Sequence, residues 1–140
     1  MNYCYLNGQI LPYPDCNLHI SDLLLQRGYG IFDFFRSRNG NFPWLEDYTD
    51  RLFNSILLSG IEAPLSREEF TSTIFDLQNK NGSDYEGFKI LVSGGYSDNL
   101  ESVTGSPNVI ILNVPWKRPP KENFINGVKL SITVPFYNFS

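Results

Sequence analysis

The stretch Ser21 to Gly60, SDLLLQRGYGIFDFFRSRNGNFPWLEDYTDRLFNSILLSG, decides how this chain folds. Ser21 and Asp22 carry short side-chain oxygens that accept from the free N–H groups opening a helix, so they cap a short helix over Leu23-Leu24-Leu25. Gly28 stops it. Ile31 to Arg38 reads as a strand, Asn39-Gly40 as a hairpin turn, and Asn41 to Trp44 as the return strand. From Glu46 onward the apolar period changes. Leu45, Leu52, Phe53, Ile56 and Leu57 fall on one stripe at helical spacing, with Glu46 and Asp47 in the first turn and Gly60 at the end.

The flanks extend this pattern. Tyr3 to Leu6 and Gln9 to Leu11 form a hairpin around Asn7-Gly8, a pair that accepts the positive φ angles of a tight turn. Ser66-Arg67-Glu68-Glu69 is a capping box, and Phe70, Ile74 and Leu77 give the following helix a buried face up to Asn81-Gly82. Phe88 to Ser93 and Val109 to Val114 read as strands. Val128 to Val134 reads as a third, alternating Val128, Leu130, Ile132 and Val134 against Lys129, Ser131 and Thr133. Between the last two strands, Trp116 to Lys121 is an exposed connection stiffened by Pro119-Pro120. This order predicts an α+β fold in one domain spanning 1–140: a two-layer sandwich with a largely antiparallel sheet and two main helices on one face. The uncharged, aromatic ending Pro135-Phe136-Tyr137-Asn138-Phe139-Ser140 reads as a chain cut at a domain border.

Composition narrows the function classes. Hydrophobic residues at 41% and aromatics at 15% are ample for a packed core. A net charge of −4 argues against a general nucleic-acid or anionic-membrane partner. Cys4 and Cys16 are too few for a disulfide framework or a zinc site and read as thiols in a reducing compartment. Met1 is followed by neither a basic segment nor an apolar run of signal-peptide length, and no stretch approaches a membrane span. The expectation is a cytoplasmic protein with no metal. His19, without partners for metal or nucleophilic chemistry, reads as a loop histidine.

Two motifs carry a resemblance: Gly28-Tyr29-Gly30-Ile31-Phe32-Asp33 followed by Arg36, and Asp50-Arg51-Leu52 with Ser55 one helical turn on. They are similar to the N-terminal domain of fold-type IV pyridoxal-phosphate enzymes, which include branched-chain and D-amino-acid aminotransferases and aminodeoxychorismate lyase. The resemblance runs from Leu6-Asn7-Gly8 to Lys129 and covers one of that family's two domains. It implies half of an aminotransferase acting on amino acids, branched-chain ones among them. Aminodeoxychorismate lyase, acting on a chorismate-derived substrate, and a non-catalytic domain of the same fold are the alternatives. It also implies a homodimer and pyridoxal phosphate as the cofactor of the complete protein.

The resemblance assigns Arg51 to the cofactor phosphate, a role that suits a planar fork that stays protonated. Its plain alternative is a surface arginine paired with Asp47, and a clamp needs its head free of tight intrachain pairing. Phe32 falls on an aromatic substrate-contacting position and Arg36 on one that helps hold a carboxylate. Phe32, Phe34 and Arg36 share one strand face, with Asp33 and Phe35 on the other, and core packing is the alternative for the two phenylalanines. Several positions depart from the family pattern. Tyr29 replaces an acidic residue, Asp33 a glutamate and Tyr48 a histidine, and Gly94-Gly95 stands where many relatives have Arg-Gly. A phosphate cradle at Gly94-Gly95 is a weak signal without a Gly-rich loop.

None of Lys80, Lys89, Lys117, Lys121 and Lys129 falls on the family's Schiff-base lysine, so no catalytic residue is assigned. That lysine, and the second domain bearing it, are expected beyond Ser140, and the chain by itself is expected not to retain the cofactor. Borohydride reduction of a mixture of this chain with pyridoxal phosphate should therefore yield no cofactor–lysine adduct at a single stoichiometric site. One specific adduct on Lys89 or Lys129, located by peptide mass mapping, would overturn that expectation.

Overall fold

The Asn7-Gly8 turn, with φ of 46° and 91°, folds β1 (Tyr3–Leu6) back on β2 (Gln9–Pro12) in the register Tyr3↔Pro12 to Leu6↔Gln9. A computed structural model describes residues 2–82 and 84–131. After a single 3-10 turn over Tyr13–Asp15, the chain enters α1 (Leu23–Arg27) through Asp22, whose carboxylate accepts from the Leu24 N–H at 2.9 Å. Gly28, at φ 65°, closes that helix as the sequence predicts. The strands β3 (Gly30–Arg36), β4 (Gly87–Ser93) and β5 (Asn108–Val114) complete one sheet in the order β2-β1-β5-β4-β3, every neighbour antiparallel.

Two helices, α2 (Leu45–Leu58) and α3 (Arg67–Asn81), cover one face of this sheet. The capping box at Ser66 and Glu69 is present in both directions. Leu52 and Ile56 of α2 and Phe70, Ile74 and Leu77 of α3 meet Phe35, Phe88, Ile90, Val92, Val109 and Ile111 of the strands in a single core. Aromatic rings fill its centre. Phe35 stacks on Phe88 at 5.3 Å and on Tyr48 at 5.1 Å. The result is the α+β two-layer sandwich that the element order predicts.

Three expectations need correction. The return strand over Asn41 to Trp44 does not form: a lone bridge joins Arg38 and Asn41, then Phe42 turns inward to pack on Phe75 at 5.0 Å and Phe88 at 5.5 Å. Pro43 lacks the N–H such a strand would use, so β3 stays at the sheet edge. Leu57 is not on the buried stripe of α2 and is 76% exposed. The helix buries Thr49, Leu52 and Ile56, a line at i, i+3, i+7 that leaves Leu57 rotated off the sheet. Among the described residues Val128 to Ser131 form no strand, and the rest of that predicted strand lies outside them. A short helix, α4 (Lys121–Asn126), starts instead behind Pro120.

Gly94-Gly95 has a packing explanation. A Cβ on Gly94 would sit 2.2 Å from the Tyr29 ring, and one on Gly95 would sit 2.1 Å from the Ser106 carbonyl oxygen. The pair lets Tyr29 and the 105–107 segment close on the end of β4, where the Tyr29 hydroxyl donates to the Ser59 carbonyl at 3.2 Å. Cys4 of β1 is fully buried, and that burial pushes its thiol up to about 12, helped by nearby Cys16 and Asp15, so it stays protonated at neutral pH.

Asp22 is fully buried and also accepts from Ser93 Oγ at 2.8 Å and Asn108 Nδ2 at 2.7 Å. Asp22→Ala should strand three donors and cost about 3 kcal/mol or more of stability. A urea midpoint within error of the parent chain would show that this carboxylate does not hold the fold.

Candidate functional site

Alternation along β3 sorts its side chains. Ile31 and Phe35 pack against the core under the helices, and Asp33 shares their face, while Phe32, Phe34 and Arg36 occupy the other. That face carries little helical cover: Phe32 is 60% exposed, and the Lys89 ammonium lies 5.3 Å from its ring centre. Phe34 meets the Trp116 ring at 5.4 Å, and the Arg36 guanidinium carbon lies 5.5 Å from the same indole. Trp116 therefore covers the end of this face. Its Nε1 is buried without an acceptor among the described residues.

Arg51 is partly engaged by a pairing within the chain. Its Nε donates to Asp33 Oδ2 at 3.1 Å, its Nη2 donates to Asp33 Oδ1, and Nη2 also reaches the Phe34 carbonyl at 3.4 Å. The partner is across the layers, not Asp47 or Asp50 on the same helix. Asp50 pairs with Arg67 of α3 instead. The reason is burial: the Asp33 side chain is 12% exposed against 55% for Arg51, so the carboxylate needs a cation and Arg51 is the one basic residue that α2 offers. The hydrogen bonds to Asp33 raise the guanidinium above its ordinary value.

The fork leaves part of Arg51 available. Nη1 has no acceptor among the described residues, and the guanidinium carbon lies 5.1 Å from the Tyr48 ring centre. Ser55, one turn on, is spent locally, its hydroxyl donating to the Arg51 carbonyl at 2.8 Å. The site residues named from sequence thus fall into two groups. Phe32 and Arg36 stand together on the open face of β3, and Arg51 stands at the edge of the same strand, held from the helix side. Sequence reasoning missed Asp33 as the partner of Arg51 and Trp116 as the cover of Arg36. The first was readable: an acidic residue on the helix-facing side of a strand, opposite a helix with one cation, calls for that pairing. No local pattern marks the second.

Residues 30–135 match the family model described as amino-transferase class IV. A putative branched-chain-amino-acid aminotransferase of Methanocaldococcus jannaschii is 25% identical over 91% of this chain and 45% of its own length. The chain thus spans less than half the length of the curated relatives it matches. Among solved structures, 4-amino-4-deoxychorismate lyase from Pseudomonas aeruginosa superposes with a TM-score of 0.72 at 22% identity, over 89% of this chain and 44% of that one. The branched-chain amino acid aminotransferase from Thermobaculum terrenum, in its PLP-bound holo form, gives 0.67 at 21% identity, over 84% and 41%. At these identities the structures establish a shared fold.

The Arg51–Asp33 fork should be measurable as a coupling. In a double-mutant cycle of Arg51→Ala and Asp33→Ala, the interaction term is expected at about 0.5–1.5 kcal/mol, reduced from a buried pair's value by the exposure of Arg51. Strictly additive losses in chemical denaturation would mean that the fork contributes nothing to stability.

Proposed function

The chain belongs to the amino-transferase class IV family, and from that membership we propose that it is the N-terminal part of a pyridoxal-phosphate-dependent aminotransferase acting on amino acids, branched-chain ones among them. The observation that carries the reading is the match over 30–135, which takes in β3 and α2 whole and so includes Phe32, Arg36 and Arg51. The named sequence relatives favour amino-group transfer over the lyase alternative, whose support is a likeness of fold.

The cofactor, when bound, supplies the electron sink of the reaction. The residues here fit one corner of it. In this reading Arg51 gives its phosphate a charge-assisted donor through the unpaired Nη1, and Asp33 holds the guanidinium plane so that little freedom is lost on binding. Phe32 and Phe34 form an apolar wall for a substrate side chain. Arg36, which has an indole and no carboxylate as its recorded neighbour among the described residues, faces the substrate's carboxylate. The lysine that holds the cofactor comes, on this reading, from the part of its relatives' length that this chain does not span.

The same proposal includes a homodimer in a reducing, cytoplasmic setting. Exposed Phe32, Leu57 and Leu58 leave apolar surface on two sides of the domain that association would cover. The free thiols Cys4 and Cys16 suit such a compartment, and no helix among the described residues is long and apolar enough to cross a membrane.

In a protein joining this domain to the remaining half, Arg51→Ala should weaken cofactor affinity ten- to a hundredfold, about 1.5–3 kcal/mol for one charge-assisted pair. The apo protein's melting temperature should move by a few degrees at most. Spectrophotometric titration with pyridoxal phosphate decides: an unchanged dissociation constant removes Arg51 from the site.

A further inference from the structure

Four cations gather at the C-terminal end of β3 in a chain whose net charge is −4. Arg36, Ser37 and Arg38 form a wall shared by two cavities. One, of about 530 Å³, lies toward Trp44 and Tyr48, and the other, of about 540 Å³, is closed by Arg118, Lys121 and Phe124. Glu86 is the one carboxylate recorded in an ion pair with this group among the described residues, 4.0 Å from Arg118. Its other oxygen already accepts from the Asn39 N–H at 2.9 Å. Arg38 and Lys121 have no ion pair among the described residues, and Arg36 rests on the Trp116 indole.

Like charges drawn around one concavity repel unless an anion offsets them, and concave walls focus the resulting field. Solvated surface charges have no such requirement and scatter among opposite signs. The cavity volume decides the size of the anion, since 300–1,000 Å³ is the range of metabolite pockets. The acidic remainder of the surface decides against a nucleic acid or an anionic membrane.

We propose that the cleft between Arg36–Arg38 and Arg118–Lys121 is an anion-binding subsite for a small molecule carrying at least two negative groups, phosphate or carboxylate. It is separate from the Arg51 contact. It shares Arg36 with the substrate wall described above but needs neither the cofactor nor turnover, so it stands or falls apart from that reading.

The test uses the chain as it is, at low ionic strength, titrated calorimetrically with inorganic pyrophosphate and, separately, with citrate. One saturable site is expected for at least one of them. Amide shifts should be concentrated on 36–39 and 118–124. Binding of pyrophosphate alone identifies a phosphate ligand class, and binding of citrate alone a carboxylate one. Arg38→Gln and Lys121→Gln, both exposed changes, should each weaken binding about fivefold or more, whereas Arg51→Ala and the remote Lys80→Gln should change it less than about twofold. Circular dichroism confirms that each variant folds. Absence of saturable binding to either anion overturns the proposal. So does equal weakening by Lys80→Gln or Arg51→Ala, or indifference to both Arg38→Gln and Lys121→Gln.

Discussion

A fully buried carboxylate sets the geometry of this domain. Asp22 has no cation beside it among the described residues, and a carboxylate out of water is costly unless donors replace its hydration. The donors come from three places: the Leu24 N–H of α1, Ser93 at the end of β4 and Asn108 at the start of β5. Asn108 in turn accepts from Asn7 Nδ2 at 2.7 Å, and Asn7 Oδ1 accepts from the Val109 N–H at 2.8 Å. One polar chain therefore ties the β1–β2 turn, two central strands and the first helix together. Half-satisfied, such a network would be worse than an apolar core; satisfied, it specifies one arrangement.

The consequence for the site is positional. α1 is five residues long and β3 begins at Gly30, so Asp22 fixes where the edge strand enters the sheet. A Cβ on Gly30 would come within 2.6 Å of the Val92 carbonyl oxygen, which leaves that entry no slack. With the start of β3 pinned, its alternation delivers Asp33 to the helices and Phe32, Phe34 and Arg36 to the open face. A one-residue slip would exchange the two sets. The register Gly30↔Ser93 through Arg36↔Gly87 is thus the link between a buried polar network and the residues proposed to meet ligands.

Much of this was legible in the sequence because the signals were local. The Asn7-Gly8 turn, the Ser66 capping box, the Asp22 cap and the two-faced β3 each follow from residue chemistry over a few positions. Failures arose where a distant partner prevailed. Phe42 leaves the predicted hairpin because the core at Phe75 and Phe88 takes its ring. Leu57 looked apolar enough for the stripe, yet the width of the buried line on α2 depends on how the helix lies across the sheet. Local spacing points Arg51 to Asp47 on its own helix, and the pairing with Asp33, 18 residues away in sequence, emerges only when strand and helix faces are set opposite each other.

The same pairing also draws the guanidinium of Arg51 onto β3. The third contact of Arg51, to the Phe34 carbonyl at 3.4 Å, is the mark of that approach. It is possible because β3 is an edge strand, where outward carbonyls have no neighbouring strand to bond. Arg51 thus closes part of an open sheet edge while keeping Nη1 outside the fork.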